Sequence, residues 1–318
     1  MPGIDTYSTK GLREDLSDVI YRIAPTETPF MSAIGKTEAS NTLHEWQEQD
    51  LAAAAQNAAV EGADATNTTT TYTVRARNWT QISQKTAQVT GTNEATKKAG
   101  RKSEMAYQMS LKSLELKRDM EFVLMTNGST GNASAQGNAA TARQLIGVEG
   151  WIKDNNSLGA SGVAPDPYAT AAAPNGGTSV TDGTTRTLTE SLLKTVLMSC
   201  WTQGGNPDTI MVGGQQKQNF STFSGNATRM DKSEDKTLYA SIDVYVSDFG
   251  TLKVVPNRFM RARSLFCLQT DKWAIAYLRP FATVDLAKIG DSVRKQVVVE
   301  YTLESRNQRA SGAVRDLA

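Results

Sequence analysis

Histidine is the side chain most often used as a general acid or base, and this 318-residue chain has one, His44. It stands in "NTLHEWQEQD" with no serine or cysteine nucleophile near it in sequence, so acyl-transfer chemistry lacks its second member. Asp248-Phe249-Gly250 spells a kinase triplet, yet no HRD loop or VAIK strand accompanies it. Its place between "DVYV" and "TLKVVP" asks only for a hairpin turn. Ser191 to Lys194 and Ser233 to Lys236 match SxxK without a partner SDN or KTG. The doublets Gly204-Gly205 and Gly213-Gly214 lack the strand–glycine–helix context of a dinucleotide fingerprint and read as turns. Cys200 and Cys267, far apart and without CxxC or Cys/His spacing, read as small buried side chains rather than a disulfide or metal pair. No catalytic, cofactor-binding or metal-binding residue is assigned. The expectation is a protein that is not an enzyme.

Charge removes a second class. Lys and Arg total 34 against 33 Asp and Glu, a net +1, whereas a dedicated nucleic-acid binder carries a basic excess on one face. Three local basic groups stand out: "KKAGRK" at 97–102, "RFMRAR" at 258–263, and Arg75 with Arg77. Against that balance they read as solvated faces or subunit salt bridges. The N-terminus "MPGIDTYSTKGLRED" has no apolar core of a secretory signal. Nothing approaches the ~18 apolar residues of a membrane span. The expectation is a soluble protein made inside the cell, with no membrane partner.

The elements that carry these residues follow from periodicity. Residues 1–40 read as an arm. Leu12, Leu16, Val19 and Ile23 recur at helical spacing, and "TPFMSAIG" signals a second short helix, with Thr28 as cap, Pro29 in the first turn and Gly35 past the end. Residues 41–50 and 68–82 read as strands, the latter strongly. Between them lies "LAAAAQNAAVEGADAT", which alanine propensity would make a helix. Gln56, Asn57, Gly62 and Asp64 interrupt that helix. The run reads instead as the tip of a two-stranded ribbon, small enough to lie flat against a neighbour. A lone ribbon is marginal in water, and this one offers few apolar residues to a core, so it should project and find cover on another chain. Residues 94–126 predict the longest helix, with Met105, Met109, Leu116, Met120 and Val123 on one stripe, Tyr107, Leu111 and Leu114 beside it, and Asn127-Gly128 as its stop. Its opening by "KKAGRK" opposes the helix dipole, so something must compensate. Residues 127–145 and 155–187 read as loops, with "GVEGWIKD" a strand between them. Beyond 188 the pattern is helix ("LTESLLKTVLMSCWTQGG"), buried strand ("DTIMVGG") and helix ("QQKQNFSTF"). The rest is mostly strand, ending in "RKQVVVEYTLES".

An arm, a projecting ribbon, a long helix and an α+β body, in that order, resemble the major head proteins of tailed bacteriophages, with the HK97-like fold. The likeness rests on residues 11–66, on "ELKRDMEFVLMTN" and on "GVEGWIK". It covers almost the whole chain and is weakest over 156–240. The resemblance implies an α+β fold with an N-terminal arm at 1–40, an extended E-loop at 41–92, a peripheral (P) domain with a spine helix at 93–155, an axial (A) domain at 156–279, and a return to the P domain at 280–318. It implies that copies of the chain meet as hexamers and pentamers in an icosahedral shell, with the E-loop over the neighbour's P domain. Separate scaffolding, portal or decoration proteins are further partners, and packaged DNA is held only by weak non-specific contact. The protein would reside in the virion after assembly in the bacterial cytoplasm. A cellular nanocompartment shell of the same fold remains the alternative.

Two departures from parts of that family are legible. Some members weld subunits through an E-loop lysine, and residues 41–80 contain no lysine, so the shell should hold by non-covalent contacts. Some carry a scaffolding domain of about a hundred residues before the arm; a ribbon starting near Asn41 leaves no room for one. The expected subunit contacts are Leu12, Leu16, Val19 and Ile23 on the arm and Trp46, Leu51, Val60, Arg75 and Arg77 on the ribbon.

Overall fold

In the computed structural model, which describes residues 26–62, 64, 70–126, 135–168, 178–223 and 243–318, the first element is a short helix, α1 (Pro29–Ala33). Proline at its first turn has the right φ and no N–H to satisfy. Thr28 makes no side-chain cap. The cap comes from far along the chain instead, because the Glu121 carboxylate accepts the N–H of Phe30 at 2.8 Å and of Met31 at 3.0 Å. The apolar stripe Leu12, Leu16, Val19 and Ile23 lies outside the described residues.

β1 (Gly35–Glu38) leads to the expected ribbon. β2 (Leu43–Glu48) and β3 (Val74–Trp79) pair antiparallel, from Leu43 opposite Trp79 to Glu48 opposite Val74. Residues 51–60 are neither helix nor strand and are all exposed. Helix propensity loses there because an isolated short helix is marginal without a packed face, and this run has only Leu51 and Val60 to pack.

β4 (Gln81–Thr90) carries the ribbon into a four-stranded sheet of order β1, β10 (Trp273–Leu286), β11 (Ser292–Ser305), β4. After α2 (Gly91–Ala95) comes the long helix α3 (Glu104–Met125). It begins ten residues later than its sequence pattern predicts. Ser103 is the cap, its hydroxyl accepting Ala106 N at 3.2 Å, and Glu94 accepts the N–H groups of Glu104 and Met105 at 3.1 and 3.2 Å. The basic run 97–102 stays outside the helix, folded back at Gly100 with φ +74°. A carboxylate, not a cation, thus faces the positive end of the dipole. Leu116, Met120, Leu124 and Met125 are buried against Trp151, Trp273 and Tyr301 in the larger core. Residues 127 and 128 lie outside the described residues.

"GVEGWIKD" is one helical turn, α4 (Val148–Trp151), not a strand. Gly147 enters it so close to α3 that a Cβ would stand 2.7 Å from the carbonyl oxygens of Val123 and Leu124. That approach turns the chain and buries all four residues of α4.

The second sheet has six strands in the order β5 (Asn156–Ser157), β12 (Gly312–Val314), β9 (Leu265–Leu268), β6 (Thr209–Val212), β8 (Gly250–Pro256), β7 (Val244–Ser247). β6 is buried on both sides, which explains its unbroken apolar run. Ile210 and Val212 join the helices α5 (Glu190–Thr202) and α6 (Gly214–Ser221), while Met211 joins the core of α3. α5 buries Leu193, Val196, Leu197 and Cys200 and leaves Thr195 exposed. Gly204, at φ +85°, closes α5 in a turn as expected, whereas Gly213 caps and Gly214 begins α6 directly after β6, so the second doublet is a helix start and not a turn. Ser247 pairs with Gly250, and the triplet Asp248-Phe249-Gly250 is the expected hairpin. β10 begins at Trp273 in the first sheet, and β12 returns to the second.

Candidate assembly interface

The root of the ribbon is anchored within its own chain more firmly than its polar sequence suggests. Asn78 is fully buried. Its side-chain amide donates to Ile146 O at 3.1 Å and Leu303 O at 2.8 Å, and its oxygen accepts Ile146 N at 2.9 Å. Ala76 and Trp79 are buried beside it. Thr80 donates to Glu300 at 2.9 Å, and Thr302 donates to the Trp79 carbonyl at 3.0 Å. Trp46, expected as a subunit contact, packs its ring 5.2 Å from that of Trp151 and donates to Ser305 O at 2.8 Å. This corrects the expectation that the whole ribbon lacks a core to rest on: the 43–48 and 74–80 segments have one.

Charged groups fix the direction in which the ribbon leaves. His44 Nε2 lies 3.5 Å from Glu304 Oε2, which also accepts Thr37 Oγ1 at 3.0 Å. The His44 hydrogen bond is the main cause that pulls the Glu304 carboxyl down to about 2, against its burial. Glu48 accepts Tyr168 OH at 2.8 Å and Trp46 Nε1 at 3.1 Å, and burial pushes its carboxyl up. Arg309 pairs with Asp50 and with Asp154, the latter at 2.9 Å. Arg75 reaches Glu45 at 3.7 Å with its side chain 69% exposed, and Arg77 is half-buried in β3.

Beyond this root nothing among the described residues covers the tip. Leu51 is 96% exposed, Val60 79% and Tyr72 93%.

The other candidate chemistry resolves into structure. Arg261 and Arg263 are paired within their own chain. Arg261 meets Glu149 at 3.2 Å and Asp182 at 2.5 Å, and Arg263 meets Asp182 at 3.4 Å and Asp316 at 3.2 Å. Arg315, buried beside them, closes the group on Glu149 at 2.5 Å. Burial lifts the Cys200 thiol to about 12 and the Cys267 thiol well above its ordinary value, so both stay protonated and unreactive. Lys194 is paired with Glu190 at 3.0 Å, and the 233–236 match lies outside the described residues. Among the described residues no group of three or more His, Cys, Asp or Glu is placed to hold a metal. Sequence reasoning missed Asn78, Glu121 and Tyr168. The one signal for Asn78 was its place on the same strand face as Ala76, opposite the face that carries Arg75 and Arg77.

The model of the family described as SU10 major capsid protein matches residues 3–318. The chain is similar to the major capsid protein of Escherichia phage Phieco32, 26% identical over 337 residues that cover 97% of this chain and 95% of that protein. Among solved structures it is similar to the Cyanophage A-1(L) capsid asymmetric unit, with TM-score 0.68, 14% identity and coverage of 96% of this chain and 97% of that one. A structure of Gordonia phage Cozz gives TM-score 0.59 at 10% identity, covering 96% and 91%. That of Phage G gp27 major capsid proteins and gp26 decoration proteins gives 0.54 at 10%, covering 98% and 100%. At such identities the structural likeness speaks for the fold alone.

Proposed function

The chain belongs to the SU10 major capsid protein family and is a shell-forming head protein of a tailed phage, and on that premise we propose that its arm and ribbon are completed by neighbouring copies of the same chain. The observation that carries this is the contrast along one ribbon. Its root is buried and hydrogen-bonded, while its tip, Leu51 to Val60, is open to water. A folded chain that orders a support and leaves its apolar end bare gains from a partner that covers it. The family match also decides for a phage head over a compartment shell.

The finer reading follows from the same premise. Copies meet as hexamers and pentamers around a closed icosahedral lattice, in which modest interfaces suffice because each closure raises the effective concentration of the next. Residues 41–92 serve as the E-loop, 93–155 as the P domain with α3 as spine, 156–279 as the A domain, and 280–318 as the return. With no lysine in 41–80, the contacts are non-covalent and the subunit performs no catalysis. A near-neutral chain holds packaged DNA weakly, since affinity for a phosphate backbone scales with the cations offered to it. Scaffolding, portal and decoration proteins are separate partners; the Phage G structure, with its gp26 decoration proteins, supports the last.

Electron microscopy and denaturing electrophoresis of purified particles test this reading together. Closed shells that dissolve into one 34.4 kDa band are expected. A ladder of covalent multimers, or a chain that stays monomeric at every concentration, contradicts it.

A further inference from the structure

Independently of the shell reading, we infer that the free edge of β4 receives an added strand: an extended segment of a different polypeptide, with a carboxylate two residues from an apolar side chain. β4 closes one side of the four-stranded sheet, and among the described residues no strand pairs with it except β11. Alternate residues of such an edge turn their N–H and C=O groups outward, unpaired. Folded proteins blunt that hazard with short edges, proline, bulges or outward charge. The other edges here are blunted. β1, β5 and β7 have four, two and four residues. β10, where it runs on past β1, has Pro280 and register shifts on both sides of Arg279. β4 has ten residues, no proline and one charge, Lys85, which is paired with Asp119 at 2.7 Å. An edge this long and unprotected is suited to strand addition.

A groove of about 560 Å³ runs along this edge. Ile82 and Gln84 line it from one face of β4, and Ser83 and Lys85 from the other. One groove meets both faces only where it straddles the rim of the strand. Its far wall is α3, through Arg118 and Phe122. Ile82 and Phe122 are 46% and 43% exposed, so apolar surface is open on both sides. Arg118 supplies the charge. It has no hydrogen bond or carboxylate partner among the described residues, and its Nε is buried without an acceptor. A guanidinium in that state is matched by a carboxylate. β4 runs alongside α3, with Lys85 on Asp119 and Val89 packed on Met105, so a strand added to it follows the helix too. Arg118 and Phe122 are one turn apart, about 6 Å along the helix axis. Same-face residues of a strand are about 6.6 Å apart. A carboxylate and an apolar side chain two residues away therefore reach Arg118 and Phe122 together. The described residues of the chain offer no such guest. Each of their strands already has a partner strand. The exposed run at 51–60 holds no carboxylate and is mostly alanine, a residue depleted in strands.

Fluorescence anisotropy of synthetic peptides with the unassembled full chain tests this. The probe is a labelled peptide alternating threonine and valine over about eight residues, with one valine replaced by aspartate. Saturable binding is expected. Arg118→Gln, or lysine in place of the aspartate, should weaken it about tenfold. In one of its two alternating frames, N-methylation of the peptide's backbone amides should abolish binding, because those amides donate to β4. No saturation, equal binding of the lysine peptide, or indifference to methylation in both frames overturns the inference. The peptide changes leave the chain untouched, so they decide even where Arg118→Gln fails to fold. Hydrogen exchange over residues 81–90 then shows what covers the edge. In particles assembled from this chain alone it should match the unassembled chain. Added protection there puts a second copy on the edge and overturns the foreign guest. Native chain that forms no particles overturns the shell reading instead, and the peptides alone decide the edge.

Discussion

Replacing both apolar residues of the tip, Leu51→Ser with Val60→Ser, separates folding from assembly. Burying a leucine or valine side chain completely is worth about 2 kcal/mol. Scaled by the 96% and 79% of their surfaces still open to water, the two together are worth about 3.5 kcal/mol when a neighbour covers them. Each subunit donates one tip, so this loss enters once per subunit. At about 1.4 kcal/mol per factor of ten, complete cover corresponds to about 300-fold in the concentration of free subunit at which shells form. Cover of one third of that surface still gives about sevenfold. The assay is the free-subunit plateau measured by sedimentation across a concentration series. A thermal melt of the unassembled variant serves as the control. Because both side chains are solvated in the single chain, its stability should move by less than about 0.5 kcal/mol. An unchanged plateau refutes the reasoning, since the tip then stays in water in the shell. A large fall in monomer stability refutes it differently, because the tip would then be packed on its own chain.

Three further outcomes are expected. Asn78→Ala leaves the Ile146 amide and the Ile146 and Leu303 carbonyls unpaired in a buried site. It should lower stability by about 3 kcal/mol in urea titrations and loosen the ribbon root. Glu304 has its carboxyl held at about 2 against an ordinary 4.5, so its contribution is complete above pH 4.5 and is lost as pH falls toward 2. That contribution is worth at most about 3 kcal/mol, and Glu304→Gln should flatten the acid limb of a stability–pH curve while leaving its neutral limb parallel to that of the native chain. Gly312→Ala would put a methyl against Val196 Cγ1 and 2.9 Å from Cys200 Sγ, where α5 crosses β12. Such overpacking costs about 1–3 kcal/mol, visible as a lower urea midpoint with an unchanged slope.

What was legible in the sequence was local. The ribbon strands, α5, β6 and the hairpin at Asp248 announced themselves through β propensity, helical spacing, an unbroken apolar run and a turn triplet. What was not legible depends on partners distant in sequence. Glu121 sits on a helix face that charge alone would assign to solvent, yet it caps α1 ninety residues away. "GVEGWIKD" has the composition of a strand, and only the close approach of Gly147 to α3 bends it into a turn. The start of α3 was misplaced because Glu94 continues the helical pattern, while Gly100 and the Ser103 cap interrupt it. Arg261 and Arg263 look like surface charge until Glu149, Asp182 and Asp316 are brought to them by three separate segments. At the ribbon, sequence alone gave the exposed tip correctly and hid the buried root, since Trp46 and Asn78 find their partners only once β11 and α4 are in place.

The most direct measurement is a cryo-electron-microscopy map of particles assembled from this chain, read at residues 49–62. The expected result is the ribbon tip lying on an adjacent protomer, with Leu51 and Val60 removed from solvent by residues of that neighbour. A closed particle in which the tip folds back on its own protomer, or stands bare in solvent, would contradict the claim that copies of the chain complete one another.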